Sequence, residues 1–164
     1  RGTNDDEVVD LARYGRDHGV EVRFIEFMPL DAEGGWDRSK VVSQAEIVAA
    51  IDAEFPLEPV AARGAAPADR WRYRDGAGLI GVIPTVTAPF CGDCDRVRLT
   101  ADGQFRTCLF ETREFDLRAL LRSGATDDDL SREIERAVGT KWAGHQINQV
   151  NFIRPKRTMS QIGG

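Results

Sequence analysis

Val20-Glu21-Val22-Arg23-Phe24-Ile25-Glu26-Phe27-Met28 is a run of strand formers that follows directly on a helical pattern. Upstream, Val8, Leu11 and Ala12 recur at helical spacing. Asn4 and Glu7 stand three apart, as the partners of a capping box do, and Gly19 is placed to stop the helix. Helix followed at once by strand is the rhythm of a parallel α/β sheet or barrel. Arg23 and Glu26 interrupt an otherwise apolar strand. Parallel strands are usually buried on both faces, so a charge there is paired, meets solvent at a strand end, or lines a site.

Working outward, residues 29–40 read as a loop containing Gly34-Gly35-Trp36. Ser43 and Glu46 form a second capping box, with Val42 and Ile47 in the staple positions, and Phe55-Pro56 ends that helix. Residues 57–69, rich in Ala and Pro, read as a connector between a first domain over 1–56 and a second over 70–164. The pattern then turns to antiparallel β. One hairpin is expected over residues 70–83 around Asp75-Gly76, and another over residues 95–110 around Ala101-Asp102-Gly103. Leu117, Leu120 and Leu121 mark a helix stopped by Gly124. Thr126 caps another, with Leu130, Ile134 and Val138 on one face and Gly139 past its end. The tail is polar, carries Arg154, Lys156 and Arg157, and finishes in Gly163-Gly164.

With 22 basic against 27 acidic residues the net charge is −5, which argues against a general nucleic-acid or anionic-membrane surface. No apolar run approaches the ~18 residues of a membrane span. The chain starts at Arg1, with no initiator methionine or signal peptide. That is expected of the C-terminal part of a longer protein, or of a processed or engineered start.

The three cysteines are Cys91, Cys94 and Cys108, spaced C-x2-C-x13-C. So tight and odd a set reads as metal ligation in a reducing compartment and not as a disulfide framework. Three thiolates are one short of a tetrahedral site or a cubane. Two readings stay open. In one, a four-iron cluster keeps an open iron that acts as a Lewis acid. In the other, structural zinc takes His145 or another residue as its fourth ligand. Arg96 and Arg98, two apart on an expected strand, project from one face and suit a phosphate or carboxylate. The plainer alternative is a solvated basic face with Val97 and Leu99 turned inward. A turn over residues 101–103 is expected to bring Cys108 back towards Cys94. His18, at a helix C-terminus, reads as structural.

Gly2-Thr3-Asn4-Asp5-Asp6-Glu7, Arg23 to Met28, Gly35-Trp36, Phe90 to Thr100, Asp102-Gly103, Cys108 to Phe110 and the terminal Ile162-Gly163-Gly164 run in order along nearly the whole chain. Together they resemble the C-terminal half of the GTP 3′,8-cyclases, radical S-adenosylmethionine enzymes of molybdenum cofactor biosynthesis. The resemblance implies an α/β fold. Its first part would be the last strands and helices of an incomplete (β/α) TIM-type barrel. Its second would be an α+β domain carrying an auxiliary [4Fe–4S] cluster. It further implies that Cys91, Cys94 and Cys108 hold that cluster, whose open iron binds the guanine of GTP. Arg96 and Arg98 would contact the nucleotide, Met28 would contact S-adenosylmethionine, Arg23 would be an active-site arginine, and Gly163 and Gly164 would reach into the active site. A cytoplasmic homodimer feeding a downstream cyclic pyranopterin monophosphate synthase is implied as well. One departure is large: the family's C-x3-C-x2-C motif for a second [4Fe–4S] cluster, which cleaves S-adenosylmethionine, is not in this chain. The chain alone is therefore expected to be inactive. Competing expectations are the auxiliary-cluster domain of another radical S-adenosylmethionine enzyme and a zinc-stabilised binding module.

Overall fold

The computed structural model describes residues 1–61, 63–141, 147 and 152–162. Among them the chain is mixed α/β, with two sheets and four α-helices. It divides into two compact units. The first comprises Arg1–Met28 and Trp36–Cys94, and the second Pro29–Gly35 and Asp95–Gly164.

The first unit is a four-stranded sheet in the order β1-β4-β3-β2. Its strands are β1 (Val22–Ile25), β2 (Leu57–Pro59), β3 (Asp69–Tyr73) and β4 (Leu79–Ile83). β1 runs parallel to β4, with Val22 opposite Ile80 and Ile25 opposite Ile83. The remaining pairs are antiparallel. Helices α1 (Val8–His18) and α2 (Gln44–Glu54) supply Val8, Ala12, Ile47 and Ile51 to a core shared with Tyr73, Ile80 and Val82. Alternation explains the partition of β1. Val22 and Phe24 are partly buried, while Arg23 and Ile25 are exposed. Gly15 lets α1 lie against β1, because a Cβ there would stand 2.7 Å from Val22 Cγ2 and 2.9 Å from the Val20 carbonyl.

The Ser43/Glu46 box forms as the sequence indicates. Gly19 ends α1 at φ +65°, the left-handed conformation that favours glycine. The turn at Asp75-Gly76 is also in place, with the Gly76 amide donating to the Tyr73 carbonyl at 3.0 Å. The Asn4/Glu7 box does not form. Asp5 instead accepts from the Gly2 amide at 2.6 Å, and residues Asp5–Glu7 make a 3-10 turn leading into α1. Leu57–Pro59, expected within a connector, is the outer strand of the sheet, and Leu57 is buried there.

In the second unit β5 (Arg98–Leu99), β6 (Gln104–Arg106) and β7 (Phe115–Asp116) form an antiparallel sheet in sequence order. The expected hairpin is present with shorter strands, and β7 joins it unannounced. Gly103, at φ +81°, sits where a Cβ would fall 2.4 Å from Arg118 Cβ. Helices α3 (Leu117–Arg122) and α4 (Asp127–Gly139) follow, and Thr126 caps α4 with Asp129 closing the box. α4 is rotated from the expected face. Ala137 is fully buried against Phe105 and Phe115, while Ile134 and Val138 are exposed, and Gly139 is the helix's last residue.

Candidate functional site

Glu26, just past β1, organises the approach to the first two cysteines. It is 2% exposed, and its carboxylate accepts from the amides of Val86 (2.7 Å), Thr87 (2.8 Å) and Gln44 (3.0 Å), and from the Thr87 hydroxyl. The strand charge that sequence left open is thus paired with backbone donors. Gln44 is the first residue of α2, where the helix dipole favours an anion. The segment it holds leads from β4 to the 3-10 turn Cys91–Asp93, closed by the Cys94 amide on the Cys91 carbonyl at 3.3 Å. The C-x2-C pair therefore sits on one turn. Just before it, the Arg63 guanidinium lies 4.8 Å from the Phe90 ring centroid.

In the second unit the strand polarity is inverted. Arg96 and Arg98 are partly buried, whereas Val97 is 44% and Leu99 62% exposed. The solvated-basic-face alternative required the opposite, because it turned Val97 and Leu99 inward. Cys108 lies two residues past β6, and the Phe110 amide donates to its sulfur at 3.4 Å. All three cysteines are thiols of intermediate exposure.

Sequence reasoning did not single out Arg106, which is 2% exposed, pairs with Glu114 and donates to the Glu111 carbonyl. Arg157 continues the network to Asp102 (2.7 Å) and Glu114 (2.6 Å). Hydrogen bonds from Arg157, then Thr100, hold the Asp102 carboxyl at about 2, and Arg157 itself is raised. Burial pushes Glu114 up, but hydrogen bonds from Arg157 and Arg106 more than offset it, leaving it below the usual range. Arg154 donates to Pro29 O (3.0 Å) and to Asp31 Oδ1 (2.6 Å). Two of the three cations in the tail's basic patch are therefore paired with protein groups. Ile162 is fully buried.

Arg23 donates from Nε to Glu21 at 2.8 Å, and Glu21 also takes Arg70. Arg23 borders a cleft of about 330 Å³ in the first unit, together with Arg1, Lys40 and Ile25. Met28 lies three residues past the end of β1 and is partly buried. His18 donates from Nδ1 to the Tyr14 carbonyl (2.9 Å) and stacks on the Tyr14 ring, a structural role. His145, Gly163 and Gly164 lie outside the described residues.

Among the described residues no three His, Cys, Asp or Glu side chains form a metal-holding group. Nor is any helix there long and apolar enough to cross a membrane. The donor chemistry nonetheless suits a soft metal. The described residues are those of a mixed α/β protein with three free thiols, two of them on one turn of the first unit and one in the second.

The chain belongs to the Molybdenum Cofactor Synthesis C family, whose sequence profile matches residues 20–147. It is 49% identical to a GTP 3′,8-cyclase of Streptomyces coelicolor over 99% of this chain and 48% of that protein. It is 51% identical to one of Mycobacterium sp. strain KMS over 97% of this chain and 46% of that protein. A third relative, from Paenarthrobacter nicotinovorans, is 45% identical over 100% of this chain and 51% of that protein. The chain thus spans about half the length of the curated relatives it matches.

Proposed function

We propose that this chain is the substrate-binding half of a GTP 3′,8-cyclase. The observation that carries the reading is the alternation that leaves Arg96 and Arg98 partly buried and Val97 and Leu99 exposed, in the segment that follows the C-x2-C turn in sequence and enters β5. Two guanidiniums spaced along one strand face are suited to the phosphate oxygens of a nucleotide, by bidentate charge-assisted bonds. Cys91, Cys94 and Cys108 are the ligands for an auxiliary [4Fe–4S] cluster. When bound, that cluster supplies an iron with a vacant position, a Lewis acid able to take a nitrogen or oxygen of guanine.

The protein's own side chains then bind and orient. Arg96 and Arg98 neutralise the triphosphate. Arg23, on a strand of partial-barrel character, adds a third cation in the active site. Met28 contacts S-adenosylmethionine, and Gly163-Gly164 close on the reacting nucleotide where a side chain would not fit. The radical chemistry that joins C3′ to C8 would be supplied by a second cluster, whose C-x3-C-x2-C ligand set is not among these residues. In this reading residues 1–56 supply barrel strands and residues 70–164 the cluster and nucleotide domain, although β3 and β4 share a sheet with β1. A cytoplasmic homodimer whose product passes to cyclic pyranopterin monophosphate synthase belongs to the same proposal.

The test uses the full-length protein, reconstituted anaerobically. Iron and sulfide beyond the first cluster, together with a cluster spectrum perturbed by GTP, are expected. Arg96→Ala and Arg98→Ala should each weaken GTP binding by ~1.5–3 kcal/mol. Unchanged affinity in both variants removes the clamp. Stoichiometric zinc without sulfide makes the site a structural zinc module instead.

A further inference from the structure

The β5–β6 ladder stops short of the residues that matter most. Its last pair is Arg98 opposite Arg106, and carrying that register two residues further places Arg96 opposite Cys108. Beyond the ladder, the carbonyls of Arg96 and Thr107 accept hydrogen bonds from one ammonium, that of Lys141, with the Thr107 contact at 2.9 Å. Each carbonyl belongs to a peptide bond adjoining a residue of the proposed site. One is the Arg96–Val97 peptide, and the other is the peptide immediately before Cys108.

Lys141 is itself held from behind. Its amide donates to the Val138 carbonyl at 2.9 Å, and the Thr140 amide and hydroxyl both donate to the Ala137 carbonyl, at 3.0 and 2.7 Å. Ala137 is fully buried on Phe105, which lies in β6. The end of α4 is thus fixed to the sheet, and its next side chain spans the two parting strands. A lysine ammonium has three donors and no acceptor, so it can hold two carbonyls at once.

We infer that Lys141 is a positioning residue that sets the spacing between the arginine clamp and the third cysteine. This rests on the nucleotide reading of the site. Lys141 touches neither nucleotide nor metal. It fixes the backbone from which Arg96 and Cys108 project, so its loss should loosen both at once.

Lys141→Met keeps the aliphatic stem and removes the donors, and Lys141→Arg restores donors on a similar stem. Two measurements on the full-length reconstituted protein decide the matter. In the first, amide exchange at Arg98 and Arg106 should rise in Lys141→Met relative to exchange in α4, and fall back in Lys141→Arg. Unchanged exchange overturns the inference. In the second, the dissociation constant for GTP should rise about tenfold in Lys141→Met, the effect of losing a charged hydrogen bond that holds the clamp. The GTP-induced change in the cluster spectrum should shrink with it. Raised exchange with unaltered GTP affinity reduces Lys141 to a structural staple and overturns its positioning role. A wild-type protein with no response to GTP counts against the cyclase reading. The exchange arm then decides the staple by itself.

Discussion

The first unit packs Val8, Ala12, Ile47, Ile51, Leu57, Tyr73, Ile80 and Val82 into one apolar cluster, whereas in the second Phe105, Phe115 and Ala137 pack beside a set of ion pairs. That set joins Arg106, Glu114, Arg157 and Asp102 in one network, and Lys141 bridges the parting strands. The difference teaches where each unit is vulnerable. An apolar core loses stability in proportion to the cavity a truncation leaves. A buried ion network loses it abruptly, because removing one partner strands the other's charge.

The largest expected effect follows from that contrast. Arg106→Ala leaves Glu114 facing a cavity without one of its two cations and frees the Glu111 carbonyl, at a cost of ~3–5 kcal/mol. Ile51→Ala, at a fully buried position of the first unit, should cost ~3 kcal/mol. Urea unfolding with amide exchange resolved by residue separates the two. Arg106→Ala should expose β6 and β7 and spare the first sheet, and Ile51→Ala should do the reverse. An Arg106→Ala variant as stable as wild type would break the comparison.

Glu26 qualifies the contrast, because the apolar unit also contains one charged hub. Glu26→Gln keeps the volume and leaves two donors pointing at amides that need acceptors, so a loss of ~1–3 kcal/mol is expected. Exchange at the Val86 and Thr87 amides should rise first, since they depend directly on that carboxylate. If those amides stay protected while stability falls, the segment before Cys91 is held by something other than Glu26.

What the sequence made legible was local. Ser43 with Glu46, Gly19 after α1 and the Asp75-Gly76 turn are decided by residues within four positions of one another, and all three stand in the structure. Asn4 with Glu7 carried an equal signal and failed: residues 5–7 form a 3-10 turn in which the Glu7 amide donates to the Asn4 carbonyl (3.2 Å) and not to its side chain. β2 and β7 were missed because two- and three-residue strands are created by their partners and carry no periodicity of their own. The face of α4 was misjudged for a related reason. Large apolar residues at helical spacing suggested Ile134 and Val138, yet the approach to Phe105 admits only the small Ala137. At the site, the spacing of the cysteines and arginines was readable. Lys141 and Arg106 were not, because Lys141's partners lie 45 and 34 residues away and Arg106's 5 and 8, and they are defined only by the fold. The inward turn of Arg96 and Arg98 contradicts simple hydrophobic patterning, and such contradictions are where function is to be sought.

The smallest effect is also the sharpest in sign. Asp102 sits at about 2 in the folded chain against an ordinary 3.8, chiefly through its hydrogen bonds from Arg157 and then Thr100. A depressed carboxylate contributes stability that is complete above its unfolded value and is lost as pH falls through the folded one. The second unit should therefore weaken between about pH 4 and pH 2, with Glu114, also lowered, reinforcing the loss. Asp102→Asn removes one titrating partner and leaves the other, so the acid transition should become shallower without vanishing. Exchange at the Phe105 and Phe115 amides, followed against pH, reads this directly, and the first sheet serves as the internal reference. An acid transition of unchanged steepness in Asp102→Asn would mean that Glu114 alone carries the pH response. The charge network would then have one titrating centre and not two.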